Sequence, residues 1–168
     1  MAEQLSNPAY QHLLINHLPI IGIVMGLVGL CVAFALRQRV AFIPALVILV
    51  VAGVSAWPVY ATGSEAYKPI RQITDDAGID WLDTHMDRAD SAIWAFYVLA
   101  GVAAVAVAVP WKWPRASLPL AILTTVIAVA CLGAAGWIAE AGGKVRHPEF
   151  RTPGTSALEI SETHDRTD

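Results

Sequence analysis

Residues 18–36 read LPIIGIVMGLVGLCVAFAL, a run with no charged, amide or histidine side chain from Leu18 to Leu36. Three more runs of the same character follow, Val40 to Tyr60, Ser91 to Val109 and Ser117 to Ala139. Each is close to the ~20 residues that carry an α-helix across the hydrocarbon core of a bilayer. The 168-residue chain is 56% hydrophobic and only 15% charged, too apolar for an ordinary soluble domain. The expected fold is therefore an all-α membrane protein with four transmembrane helices in an up-down-up-down bundle. Residues 1–149 form the membrane domain and residues 150–168 a polar C-terminal tail, disordered or partner-binding, in which Ser, Thr and acids replace apolar side chains. Gly22, Gly26, Gly133, Gly136 and the run Ala103, Ala104, Ala106, Ala108 supply small side chains for close helix approach. Cys31 and Cys131 are read as small packing residues between helices.

An even number of crossings returns the chain to its starting face. The residues before the first run, between the second and third, and after the fourth then share one side, and His12, His17, His85 and His147 all lie there. The other side receives two tight connections, Arg37-Gln38-Arg39 and residues 110–115, neither with a candidate ligand. Residues 1–11 contain no Lys or Arg and no cleavable pattern, so the first run is expected to be retained as a helix. Lys68, Arg71, Arg88, Lys144, Arg146 and Arg151 lie at the histidine end. Arg37 and Arg39, immediately after the first run, together with Lys112 and Arg115, nevertheless place the compact turns inside and the histidine end outside. The expected setting is a bacterial inner membrane crossed several times, with both termini periplasmic. Trp111 and Trp113 would mark the inner interface, Trp57 and Trp137 the outer.

At the histidine end, the second run is expected to close in a tight turn at Thr62-Gly63-Ser64-Glu65, and the fourth in a left-handed stop at Gly142-Gly143. The third run is expected to begin as a helix ahead of the membrane. Ile79, Leu82, Met86, Ile93 and Tyr97 recur at helical spacing, with Asp83, Asp87 and Asp90 on the other side. His147 precedes Pro148 and is expected in extended chain.

His12 and His17 are separated by about 140° on a helix, too far round to converge on one small ion. Asn16 shares the face of His12. Helices one and three are diagonal in such a bundle, so His17 and His85 are expected to face each other, the arrangement that bis-histidine haem needs. His12 and His147 are further candidate cofactor residues. The leading expectation is a b-type cytochrome-like subunit, with haem b near the outer face, passing electrons to a protein partner. A second reading takes His17, His85, His147 and Glu65 as ligands to zinc, copper or iron. A third is a cofactor-free scaffold within a larger membrane complex. Glu65 and Asp90 are candidate proton carriers beside a redox centre. The net charge of −3 and the aspartates at 75, 76, 80, 83, 87 and 90 speak against nucleic-acid binding. No nucleophile turn, phosphate-binding glycine loop or cysteine-pair motif points to a stand-alone enzyme.

The order of HLLINHLPI (residues 12–20), Thr62-Gly63, His85 and GGKVRHPE (residues 142–149) resembles a widespread bacterial group of uncharacterised four-helix membrane proteins. Their first helix opens with two histidines five apart followed by a proline, and their fourth closes on Gly-Gly with a nearby histidine. The likeness spans His12 to Glu149. Some members are fused to Rieske or cytochrome c modules, which implies electron transfer near a quinone pool. This chain has Leu13 where the group has a proline after the first histidine, and Glu65 where an aspartate lies nearby. No fused redox module is expected, so a partner would supply one.

Overall fold

The computed structural model describes residues 5–151, and these are helical almost throughout. Helix α1 (Pro8–Ile15) is capped by Asn7, whose Oδ1 accepts the Ala9 and Tyr10 amides. After a break at Asn16 and His17 come α2 (Leu18–Leu36), α3 (Arg39–Arg71), α4 (Asp76–Ala108) and α5 (Ser117–Arg146). Short 3₁₀ turns at Val109–Trp111, Pro114–Ala116 and Pro148–Phe150 complete the path. Arg37, with φ of 55°, ends α2 in the left-handed region and turns the chain sharply into α3.

Four helical stretches are long and apolar enough to cross a membrane: Pro8–Leu36, Arg39–Arg71, Asp76–Trp111 and Pro114–Arg146. Helix α2 packs on α3, α3 on α4, α4 on α5, and α5 back on α2, closing a four-helix bundle. Its core is Ile23, Leu30, Leu49, Leu99 and a series of alanines, among them Ala33, Ala103, Ala121 and Ala128. Small side chains let the backbones approach: a Cβ on Gly22 would lie 2.7 Å from the Ala52 Cβ, and one on Gly53 would lie 2.6 Å from the Phe96 carbonyl oxygen. Thr124 is fully buried and its Oγ1 donates to the Leu120 carbonyl in its own helix, 2.8 Å away.

Several expectations are corrected here. Helix α3 does not turn at Thr62–Glu65 but continues to Arg71, and α5 passes through Gly142-Gly143 to Arg146. Both continue because the stretch beyond each apolar run packs or pairs at the same end of the bundle, burying Ala66 on α3 and Ala141 and Val145 on α5. At about 1.5 Å per residue, a helix as long as α3 or α4 reaches about 50 Å, well beyond a ~30 Å hydrocarbon core. Gly133 and Gly136 face outward with nothing within 4 Å of an added Cβ, so they mediate no approach within the bundle. Cys131 is buried as expected of a packing residue, whereas Cys31 is exposed on the outer surface of α2. His147 lies in open backbone, at φ −117° and ψ 88°, but leads at once into a 3₁₀ turn. Of the polar tail only Phe150 and Arg151 belong to the described residues; residues 152–168 lie outside them.

Candidate functional site: two imidazoles seated on glycines

Beyond the apolar core, charged side chains tie the long helices together at one end. Arg71 donates to both Asp83 oxygens at 2.8 and 2.9 Å, and Tyr67 donates to the same carboxylate at 2.5 Å, joining α3 to α4. Arg88 joins α4 to α5 through Glu140 (3.0 Å) and the Trp137 carbonyl (2.5 Å). Lys144 reaches the other Glu140 oxygen at 2.6 Å, and its ammonium lies 4.2 Å from the centroid of the Trp81 ring. Arg151 grips Asp75 through two hydrogen bonds (2.5 and 3.0 Å) and caps the Lys144 and Val145 carbonyls, fastening the end of α5 to the α3–α4 connection. These ties hold the helix ends that carry the histidines.

His85 projects from α4 onto α5. Its Nδ1 lies 2.9 Å from the Ile138 carbonyl oxygen, and a Cβ on Gly142 would sit 3.0 Å from both Cε1 and Nδ1 of the ring. His12 repeats the arrangement between α1 and α3. Its Nδ1 lies 2.9 Å from the Val59 carbonyl oxygen, and a Cβ on Gly63 would sit 3.0 Å from the same two ring atoms. In both places the glycine follows the accepting carbonyl by one helical turn, so ring and hydrogen bond occupy the space a larger side chain would fill. The Val59 carbonyl has a further neighbour, for Thr62 Oγ1 donates to it at 3.1 Å and to Pro58 at 2.8 Å.

A carbonyl only accepts, so each Nδ1 must carry the proton. In its neutral form such a ring keeps a lone pair on Nε2, with its orientation fixed by the backbone carbonyl. This is the state in which imidazole binds a metal, and the Nδ1–H bond to a carbonyl makes Nε2 a stronger donor. Both rings are half-buried. One turn from His12, on its face of the helix, the Asn16 Oδ1 is shut off from solvent and finds no hydrogen-bond partner among the described residues.

The other sequence candidates lie elsewhere. His17 is exposed at the break between α1 and α2, and the half-buried imidazole of that part of the chain is His12. The expected His17–His85 pairing gives way because the chain stops being helical between α1 and α2, and that break turns His17 outward. His147 is exposed, paired with Glu149 at 2.9 Å and stacked on Phe150 with ring centroids 4.9 Å apart. Glu65 and Asp90 are exposed on α3 and α4. Among the described residues, no three His, Cys, Asp or Glu side chains gather closely enough to hold a metal ion, so the set His17, His85, His147 and Glu65 does not assemble. Sequence does not single out the Val59 and Ile138 carbonyls as site groups, whereas the spacing of Asn16 places it on the face of His12.

No known protein family, curated protein or solved structure matches the chain.

Proposed function

We propose that the chain is a haem-binding electron-transfer subunit of a bacterial inner membrane, in which His12 and His85 would hold the haem. One observation carries this reading: two half-buried imidazoles, each fixed through Nδ1 by a backbone carbonyl and seated on a glycine, each with no Nε2 partner among the described residues. The residues fit such a group in kind, since neutral nitrogens presented from separate helices are what six-coordinate haem takes from a protein. Haem bound there would supply one-electron redox chemistry. The chain's own part is to fix the rings, shield them on the bundle side with Gly63 and Gly142, and brace the surrounding helix ends with ion pairs. An up-down-up-down path, with the histidine end periplasmic, belongs to the same proposal, as does kinship with the four-helix bacterial group. Electrons would pass between a quinol-type donor in the bilayer and a redox protein at the outer face.

The zinc, copper or iron alternative has no favouring observation, because its ligands lie apart. The test is spectroscopic. Protein purified from cells supplied with haem is expected to show a Soret band that sharpens and shifts on reduction, with a low-spin bis-imidazole signature. His12→Ala and His85→Ala should each abolish it, while His17→Ala and His147→Ala should leave it unchanged. A wild-type protein without the band would refute the proposal, and a stable larger complex in that sample would favour the scaffold reading.

A further inference from the structure

Besides the two ring nitrogens, one further polar group stands on the His12 face at the end of α1. Asn16 closes α1: its backbone N–H donates to the His12 carbonyl at 2.9 Å, which keeps both side chains on one helical face. Its Oδ1 is buried and unpaired, although nearly every other buried side-chain polar atom among the described residues finds a partner. Thr62 and Thr124, for example, satisfy theirs on their own helix carbonyls. A buried acceptor without a donor destabilises a folded protein, and each such group asks for an explanation, of which a missing ligand is one. Leucine has nearly the same size and would remove the penalty.

We infer that the Asn16 amide is a ligand-binding group of the His12–His85 site, held unpaired in the free protein so that it can hydrogen-bond a carboxyl at the rim of the bound haem. This rests on the haem reading above. Haem offers hydrogen bonds only through its two propionic side chains. An amide can meet a carboxyl in either protonation state, accepting from its O–H through Oδ1 or, after rotation, donating to the carboxylate through Nδ2. Asn16 stands at the end of α1, one helical turn from His12 and next to the exposed His17.

The experiment compares wild type with Asn16→Leu as full-length proteins in detergent, haem-free and haem-loaded. In the haem-free state Asn16→Leu should raise the melting temperature by about 2–4 °C, as expected for relief of one unpaired group in a chain of this size. In haem titrations the same variant should bind about tenfold more weakly, while the bis-imidazole signature persists in what does bind. These opposite signs are the distinguishing result. A variant whose haem-free form melts lower has lost a contact within the fold, and one that binds haem as tightly as wild type has lost no contact to it; either overturns the inference. If leucine prevents folding, Asn16→Ala carries the affinity measurement, and wild-type affinity in that variant overturns the inference equally. A wild-type protein that takes no haem removes the haem reading and this contact together, whereas a wild type that binds alongside an unaltered Asn16→Leu removes this contact alone.

Discussion

At the scale of single residues, the two glycines under the imidazoles are defined by what they make room for. Branched side chains there would run into a ring already in contact: the Cβ of Gly142→Val would start 3.0 Å from the His85 Nδ1 and Cε1. The ring would have to move, and the bond to Ile138 would go with it. We expect Gly142→Val to destabilise the protein by about 1–3 kcal/mol, the usual range for overpacking. In a His85→Ala background the same change should have little effect, giving a coupling of about 0.5–3 kcal/mol in a double-mutant cycle measured by denaturant unfolding. An equal loss in both backgrounds would mean that Gly142 serves the helix and not the histidine. A second residue-scale prediction concerns Asp75, outside the long helices. The Arg151 guanidinium beside it holds its carboxyl below the usual carboxylate range. A carboxyl whose folded pKa is depressed stabilises the fold fully above its unfolded pKa of about 3.9 and ceases to do so as pH falls through the lower folded value. The clamp on the end of α5 should therefore be closed at neutral pH and loosen only below about pH 4. Amide hydrogen exchange around Val145 to Arg151 should accelerate over that interval. Asp75→Asn should show the faster exchange at neutral pH and no further acid step attributable to this pair.

At the scale of elements, the apolar parts of the helices were readable from composition because lipid and core ask for the same side chains. The run Leu18–Leu36 coincides with α2. The helix ends were harder. Thr62-Gly63 and Gly142-Gly143 look like stops when glycine is weighed by its own backbone freedom, yet here they lie within helices, where Gly63 and Gly142 leave room for a ring and Gly143 faces open space. That the four histidines should share one end is an expectation from counting crossings. Which of them face inward is not, because that depends on the break between α1 and α2, which turns His12 onto α3 and leaves His17 exposed. The same distinction separates glycines that look alike in sequence. Gly53 faces the Phe96 carbonyl across the α3–α4 contact, where a fixed backbone cannot yield, whereas Gly133 faces open space. Gly53→Leu should thus force α3 from α4 and lower stability by about 1–3 kcal/mol or prevent accumulation of the protein. Gly133→Leu should be tolerated or gain up to about 1 kcal/mol from helix propensity. Comparable losses for the two, measured by thermal unfolding in the same detergent, would contradict this assignment of packed and open faces.

At the scale of the whole molecule, the site is made twice. Helices α1 and α3 bring His12 to Val59 and Gly63; α4 and α5 bring His85 to Ile138 and Gly142. The halves differ in their surroundings, since Arg88 and Lys144 share Glu140 near the second, while exposed Glu65 lies beyond the first glycine. In the proposed up-down-up-down path both halves lie at the end opposite Arg37, Arg39, Lys112 and Arg115, so one measurement of orientation would locate the site relative to the cell. The basic turns that follow α2 and α4 should face the cytoplasm. In a Cys31→Ala, Cys131→Ala background, a cysteine at the exposed position Asp80 should react with a membrane-impermeant maleimide applied to intact spheroplasts, and one at Lys112 only after the membrane is opened. The reverse pattern would turn the histidine end to the cytoplasm. A donor or acceptor reaching His12 and His85 from water would then be a cytoplasmic protein, leaving the two-ring geometry untouched but moving its partner across the membrane.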